Sequence, residues 1–162
     1  MKNLNTYFKA IAVMVFIALV FYTCKKDSNI KTGIFGTWVN TIHYSKAQLY
    51  AQTFVFNTDS TVQISHTVVD SASGNMLGYQ YLSNGKFRLN GDQLKLYKLV
   101  SLRDTIANTY YLPANQLTAM KKDTLQTYTI KINADGNSFY FYYPPCPPYA
   151  NCIGQLNFIK KK

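Results

Sequence analysis

The residues best suited to nucleophilic, acid–base or metal chemistry in this chain are two histidines, three cysteines and seven aspartates; there is no glutamate. A Ser-His-Asp nucleophile needs a histidine beside a serine and oriented by a carboxylate. His66 is the candidate by position. In the alternation Val62, Ile64, His66, Val68 it shares the apolar face, so it can point into a cavity, either as a base or as a buried, hydrogen-bonded structural histidine. His43 lies in Thr41-Ile42-His43-Tyr44, between the first strand and a short helix, and is expected at the surface. No G-x-S-x-G elbow is present. Asp27, Asp59, Asp70, Asp92, Asp104, Asp123 and Asp135 nearly all fall in turns or loops, where the carboxylate serves the backbone. They leave no facing carboxylate pair of the kind glycosidases use. Phosphate-loop, H-E-x-x-H and EF-hand patterns are absent from the sequence. The expectation is a protein that is not an enzyme and uses no cofactor or metal.

Cys24 closes a pattern of its own. Lys2 and Lys9 precede an uncharged apolar run over residues 10–22, which stops abruptly at Thr23-Cys24-Lys25-Lys26-Asp27-Ser28. The run falls within the window of an export signal and short of the roughly 20 apolar residues a membrane span needs. This arrangement resembles the lipobox of bacterial lipoproteins, with Phe21-Tyr22-Thr23 where small residues are usual. The sequence Cys-Lys-Lys-Asp-Ser is similar to the start of many Bacteroidota lipoproteins. The resemblance implies removal of residues 1–23, diacylglycerol on the thiol of Cys24 and acylation of the new amine, palmitate being the diagnostic label. It also implies a tether over residues 24–33 and a location on the outer membrane, at its periplasmic or cell-surface face. Two or more acyl chains give stable anchoring where one does not.

With Cys24 assigned to lipid, Cys146 and Cys152 remain as a pair in an oxidising compartment, and a disulfide closing the loop Pro147-Pro148-Tyr149-Ala150-Asn151 is expected. Zinc is the rival, but the spacing is not C-x-x-C and both histidines lie far off in sequence. The formal charge is +10 from 17 Lys and Arg against seven aspartates; removing Lys2 and Lys9 leaves 15 against seven, or +8. Export argues against nucleic acid as the partner. A basic surface there meets anionic lipid or acidic polysaccharide, or is simply solvated.

The elements that must position these residues read as strands. Period-two alternation runs through Phe54 and Phe56, Val62 to Val68, Tyr79 and Tyr81, Phe87 and Leu89, Leu94 and Leu96, Tyr128 to Ile132, Phe139 to Tyr143, and Leu156 with Phe158. Turn chemistry separates them at Asn57-Thr58-Asp59-Ser60, Ser73-Gly74-Asn75, Asn84-Gly85, Asn90-Gly91 and Ala134-Asp135-Gly136-Asn137. Residues 45–52 are expected to form one short helix. Tyr110-Tyr111-Leu112 and residues 117–120 are candidate strands in the least readable stretch. The fold class is all-β: a single antiparallel up-and-down β-barrel of about eight to ten strands, over residues 34–162.

Gly36-Thr37-Trp38 at the start of the first strand, with Phe54, Phe56, Asp59 and Thr61 following, resembles the lipocalin-like domains of Bacteroidota lipoproteins. The resemblance implies a tryptophan at the barrel floor, or in contact with a ligand, and a late basic residue packed over it, for which Lys160 is the nearest candidate. A cavity above about 300 Å³ would favour a small ligand; a barrel filled by side chains would exclude one.

Two further features bear on partners. Asp59-Ser60-Thr61, Asp70-Ser71-Ala72, Asp104-Thr105-Ile106 and Asp123-Thr124-Leu125 are similar to the Bacteroidota O-glycosylation sequon, which makes Ser60, Ser71, Thr105 and Thr124 candidate sugar sites; ordinary turn preference is the alternative. The stretch from Phe139 to Tyr149 is aromatic on both strand faces, so Tyr140, Tyr142 and Tyr149 are candidates for a partner surface. The function expected is a non-enzymatic envelope binding module for a small apolar ligand, a glycan or a protein. The alternative is a structural or assembly subunit of an envelope complex with a filled barrel.

Overall fold

Aromatic and β-branched residues alternating between Asn, Asp and Gly turns favour consecutive hairpins, because each hairpin buries one face only when its neighbours close over it. A computed structural model describes residues 32–106, 109–120, 125–143 and 155–162. The strands are β1 (Gly36–His43), β2 (Gln48–Phe56), β3 (Thr61–Asp70), β4 (Met76–Asn90), β5 (Gln93–Arg103), β6 (Thr118–Ala119), β7 (Gln126–Ile132), β8 (Ser138–Tyr142) and β9 (Asn157–Lys160). All pairings are antiparallel. Eight strands close into a barrel through β4–β5 and β1–β9, and β6 is an extra strand on β5. The up-and-down barrel expected from the alternation is the fold that forms.

Three local expectations change. The helix expected over residues 45–52 is a turn leading into β2. The Ser45 hydroxyl accepts the amides of Ala47 and Gln48 at 3.2 and 3.1 Å, and from Gln48 onward the backbone pairs with both β1 and β3. Two ladders outweigh the modest helix propensity of Ala, Leu and Gln. Among the described residues the only helical elements are the 3-10 turns Thr32–Ile34 and Ala114–Gln116. Asn84-Gly85 is not a turn either, since both residues lie inside the 15-residue β4. Of the stretch 101–126, Leu112 makes an isolated bridge to Tyr79 and Thr118–Ala119 form β6.

The lower half of the barrel is solid. Trp38, Phe56, Phe87, Phe139 and Phe158 are each at most 2% exposed and pack edge-to-face or stacked, with Trp38–Phe139 centroids at 5.0 Å and Phe139–Phe158 at 4.9 Å. The Trp38 indole N–H donates to the Ile34 carbonyl at 2.6 Å, so the 3-10 turn caps this end. Lys160 Nζ lies 5.1 Å from the centre of the Trp38 ring, in cation–π range. Gly36 permits that approach. Its φ is +121°, and a Cβ there would come within 2.9 Å of Lys160 Cε.

Gly85 explains how the upper half differs. In β4–β5, Asn84 pairs with Val100 and Lys86 with Tyr97, so Lys98 and Leu99 together face the single Gly85. This is a β-bulge, with Lys98 at φ 53°. A Cβ on Gly85 would meet Leu99 Cδ2 at 2.7 Å and the Tyr97 carbonyl at 3.0 Å, so only glycine fits. The extra residue inverts the parity of β5. Leu94 and Leu96 point inward below the bulge, and Leu99 and Ser101 do so above it, while Val100 is left 67% exposed. Simple alternation would have put Val100 and Leu102 inside.

Candidate functional site

The parity change creates a polar layer on top of the aromatic floor. The Ser83 side chain is fully buried, and its hydroxyl is 2.9 Å from that of Ser101, which is 3.0 Å from the Tyr81 hydroxyl. Above these hydroxyls the interior is a partly open cavity of about 450 Å³. Its walls are Tyr50 from β2, His66 from β3, Gln80 and Tyr81 from β4, and Arg103 at the end of β5. Asp104, Ile106, Thr109, Tyr110 and Met120, from the chain after β5, complete its rim.

That connection is fastened across the mouth. The amide of Asp104 donates to the Gln80 carbonyl at 3.0 Å, Tyr79 and Leu112 exchange backbone hydrogen bonds at 2.8 and 2.9 Å, and the Met120 amide donates to Ser101 at 2.8 Å. Gln80 is itself an unpaired bulge residue, because Tyr81 faces His66 and Tyr79 faces Thr67. Gly78 lets the connection dock, since a Cβ there would lie 2.8 Å from the Tyr111 ring and 2.9 Å from the Leu112 carbonyl. Ile106, Tyr110 and Met120 remain exposed at the mouth, where Tyr110 meets Tyr44 at 5.9 Å.

His66 sits between two tyrosines, 5.7 Å from Tyr50 and 5.1 Å from Tyr81 between ring centres. It is half-buried, and desolvation pushes its pKa below the usual histidine value, so the ring is neutral at pH 7. The Tyr50 hydroxyl is raised by burial, partly offset by Gln52 and by the positive charge of Arg103. Asp104 is committed to its own loop: its carboxylate accepts the Ile106 amide at 2.9 Å and the Thr109 hydroxyl at 2.8 Å.

Depressing a histidine pKa by folding has a defined sign. The neutral ring is favoured in the fold, so the stabilisation is full above the unfolded value of about 6.5 and is lost as pH falls through the folded value. Urea unfolding followed against pH is therefore expected to show stability dropping below about pH 6.5 in the wild type and a flatter profile in His66→Gln. Asp59 and Asp70, lowered mainly by hydrogen bonds from Thr61 and Ser73 respectively, act separately, at pH below their ordinary value of 3.8.

Of the described site residues expected from sequence, only His66 lines the cavity. Trp38 is sealed in the floor and does not reach it. His43 ends β1 at the surface. Tyr140 and Tyr142 stand on the outer face of β8, opposite the buried Phe139 and Phe141, with Tyr142 56% exposed. Tyr149, Cys146, Cys152, Thr124 and Cys24 lie outside the described residues, as does the signal segment. The candidate sugar sites fall in Asx-type turns: Asp59 accepts the Thr61 amide at 3.0 Å, and Asp70 the Ser73 amide at 2.7 Å. The Ser71 hydroxyl donates to the Lys46 carbonyl at 2.8 Å and that of Thr105 to Thr118 at 3.0 Å, while the Ser60 amide donates to the Asn57 carbonyl at 3.1 Å and its hydroxyl makes no hydrogen bond among the described residues.

No family model, curated protein or solved structure matches this chain. The site therefore rests on its own geometry. Among the described residues no group of three or more His, Cys, Asp or Glu converges as a metal site would require, and no helix is long and apolar enough to cross a membrane. Sequence reasoning missed Tyr50, Ser101 and Arg103. Tyr50 was hidden in the supposed helix. Ser101 and Arg103 were hidden by the bulge, whose one signal was the pairing of Gly85 with a lysine-led apolar run, Lys98-Leu99-Val100.

Proposed function

We propose that this chain is an envelope lipoprotein, anchored through Cys24, whose barrel is a non-enzymatic binding module with its ligand site at the open end. The observation that carries the reading is the division of the barrel into a solid aromatic floor and a cavity of about 450 Å³ above it. That volume lies within the range of ligand pockets, about 300–1,000 Å³. A purely structural barrel would gain stability by filling it. The site favours binding over catalysis, because among the described residues no serine or carboxylate is hydrogen-bonded to His66, whose neighbours are the rings of Tyr50 and Tyr81.

Native mass spectrometry of the chain extracted from envelopes tests both parts. The expected mass is that of residues 24–162 plus lipid, with a non-covalently retained small molecule. In His66→Trp, which fills the cavity, the lipid should remain and the small molecule should be lost. Identical spectra for the two proteins contradict the ligand site. A mass that includes residues 1–23 contradicts the anchor, as does labelled palmitate incorporated by Cys24→Ala.

A further inference from the structure

We infer that the cavity selects a small aromatic carboxylate, its ring held among Tyr50, His66 and Tyr81 and its charge met by Arg103. The inference rests on the binding reading above and names the class of ligand.

The shape of the cavity excludes a long acyl chain. Of the hydroxyl cluster only Tyr81 lines it; Ser101 and Ser83 are hydrogen-bonded in line behind that residue, and the aromatic floor is closed by side chains at most a few per cent exposed. An alkyl tail entering here would lie against the polar groups of Gln80, Arg103 and Thr109 and find the aromatic floor closed beyond them. The walls instead offer aromatic faces and edges. His66 is flanked by Tyr50 and Tyr81 at centroid distances of 5.7 and 5.1 Å, which leaves these rings arranged as a cluster that a planar ring can join. Ile106, Tyr110 and Met120, exposed at the rim, would be covered by the same ligand.

Charge decides the other end. Among the described residues Arg103 is the one cationic side chain lining the cavity at neutral pH, and no carboxylate among them forms an ion pair with it. The nearest in sequence, Asp104, is turned into its own loop by Ile106 and Thr109. A guanidinium presents a planar fork that matches a carboxylate in two parallel hydrogen bonds. His66, whose ring makes no hydrogen bond among the described residues, and Gln80 add uncharged donors beside it. A neutral aromatic would leave Arg103, an exposed residue, to water alone. A cation would meet Arg103 with like charge and find Asp104 already occupied.

The test compares 2-naphthoate with its neutral isostere 2-naphthamide by isothermal titration into the full-length processed protein in detergent, with empty micelles as the blank. The expected result is that naphthoate binds about tenfold more tightly. In Arg103→Gln the preference should vanish through weaker naphthoate binding, with naphthamide still bound and changed far less, a pattern that loss of folding would not produce. In the wild type, raising the salt concentration should weaken naphthoate and spare naphthamide. Equal binding of the two ligands overturns the anion class and leaves the binding module standing. A preference that survives in Arg103→Gln overturns the role of Arg103. Failure of both ligands to bind overturns the aromatic class; the binding reading itself then falls only if His66→Trp also matches the wild type in the native spectra.

Discussion

Replacing Phe139 with alanine is expected to cost about 3–5 kcal/mol of folding stability, enough to leave a substantial unfolded population in a domain of this size. Phe139 is fully buried and lies at the centre of the aromatic floor, with ring contacts to Trp38, Phe54, Phe56, Phe141 and Phe158. Those rings come from β1, β2, β8 and β9, so the cavity left by truncation cannot be closed by moving one strand. Urea denaturation followed by circular dichroism measures the loss. A change below about 1 kcal/mol would mean that the floor collapses easily and is not the rigid base on which the site stands.

Substituting Gly85 with valine should be nearly as damaging, at about 3 kcal/mol, the upper part of the range for overpacking. Its Cβ would approach Leu99 Cδ2, the Tyr97 carbonyl and Leu99 Cα at 2.7, 3.0 and 3.1 Å, and two of these three are backbone atoms that no rotamer change relieves. The β4–β5 pair must therefore separate at the bulge. Ser101 and Arg103 lie just beyond it, so molecules that do fold should bind naphthoate more weakly than the wild type. Denaturation and titration of the same preparation read the two effects together. Normal stability with normal binding would show that the bulge does not set the positions of Ser101 and Arg103.

The barrel was legible because its signals are local. Alternating Phe54 with Phe56, Val62 with Ile64, and Phe139 with Phe141 marks inward faces that hold in the fold, and Asn57 to Ser60 and Asn90-Gly91 mark real turns. The helix over residues 45–52 failed because short-range propensity competes there with pairing to β1 and β3, which lie outside any local window. Asn84-Gly85 misled for the opposite reason: glycine was needed for close approach of two strands, a role that looks like a turn until the partner strand is known. Most of the candidate site follows from these failures. His66 could be assigned to the interior from Val62 and Ile64 alone. Tyr50 required β2 to start earlier, and Arg103 required a bulge that reverses which side of β5 faces inward. Lys160 over Trp38 was within reach because a late basic residue in the last strand was already the nearest candidate to pack over the tryptophan.

The central claim is that the floor is sealed and the polar–aromatic cavity above it is where a small molecule binds. Two-dimensional NMR of the full-length protein titrated with 2-naphthoate tests it most directly. Shifts are expected at the backbone amides of Tyr50, His66, Tyr81 and Arg103, with the indole N–H of Trp38 unmoved. Shifts at the Trp38 indole, or shifts confined to Tyr140 and Tyr142 on the outer face of β8, would contradict it.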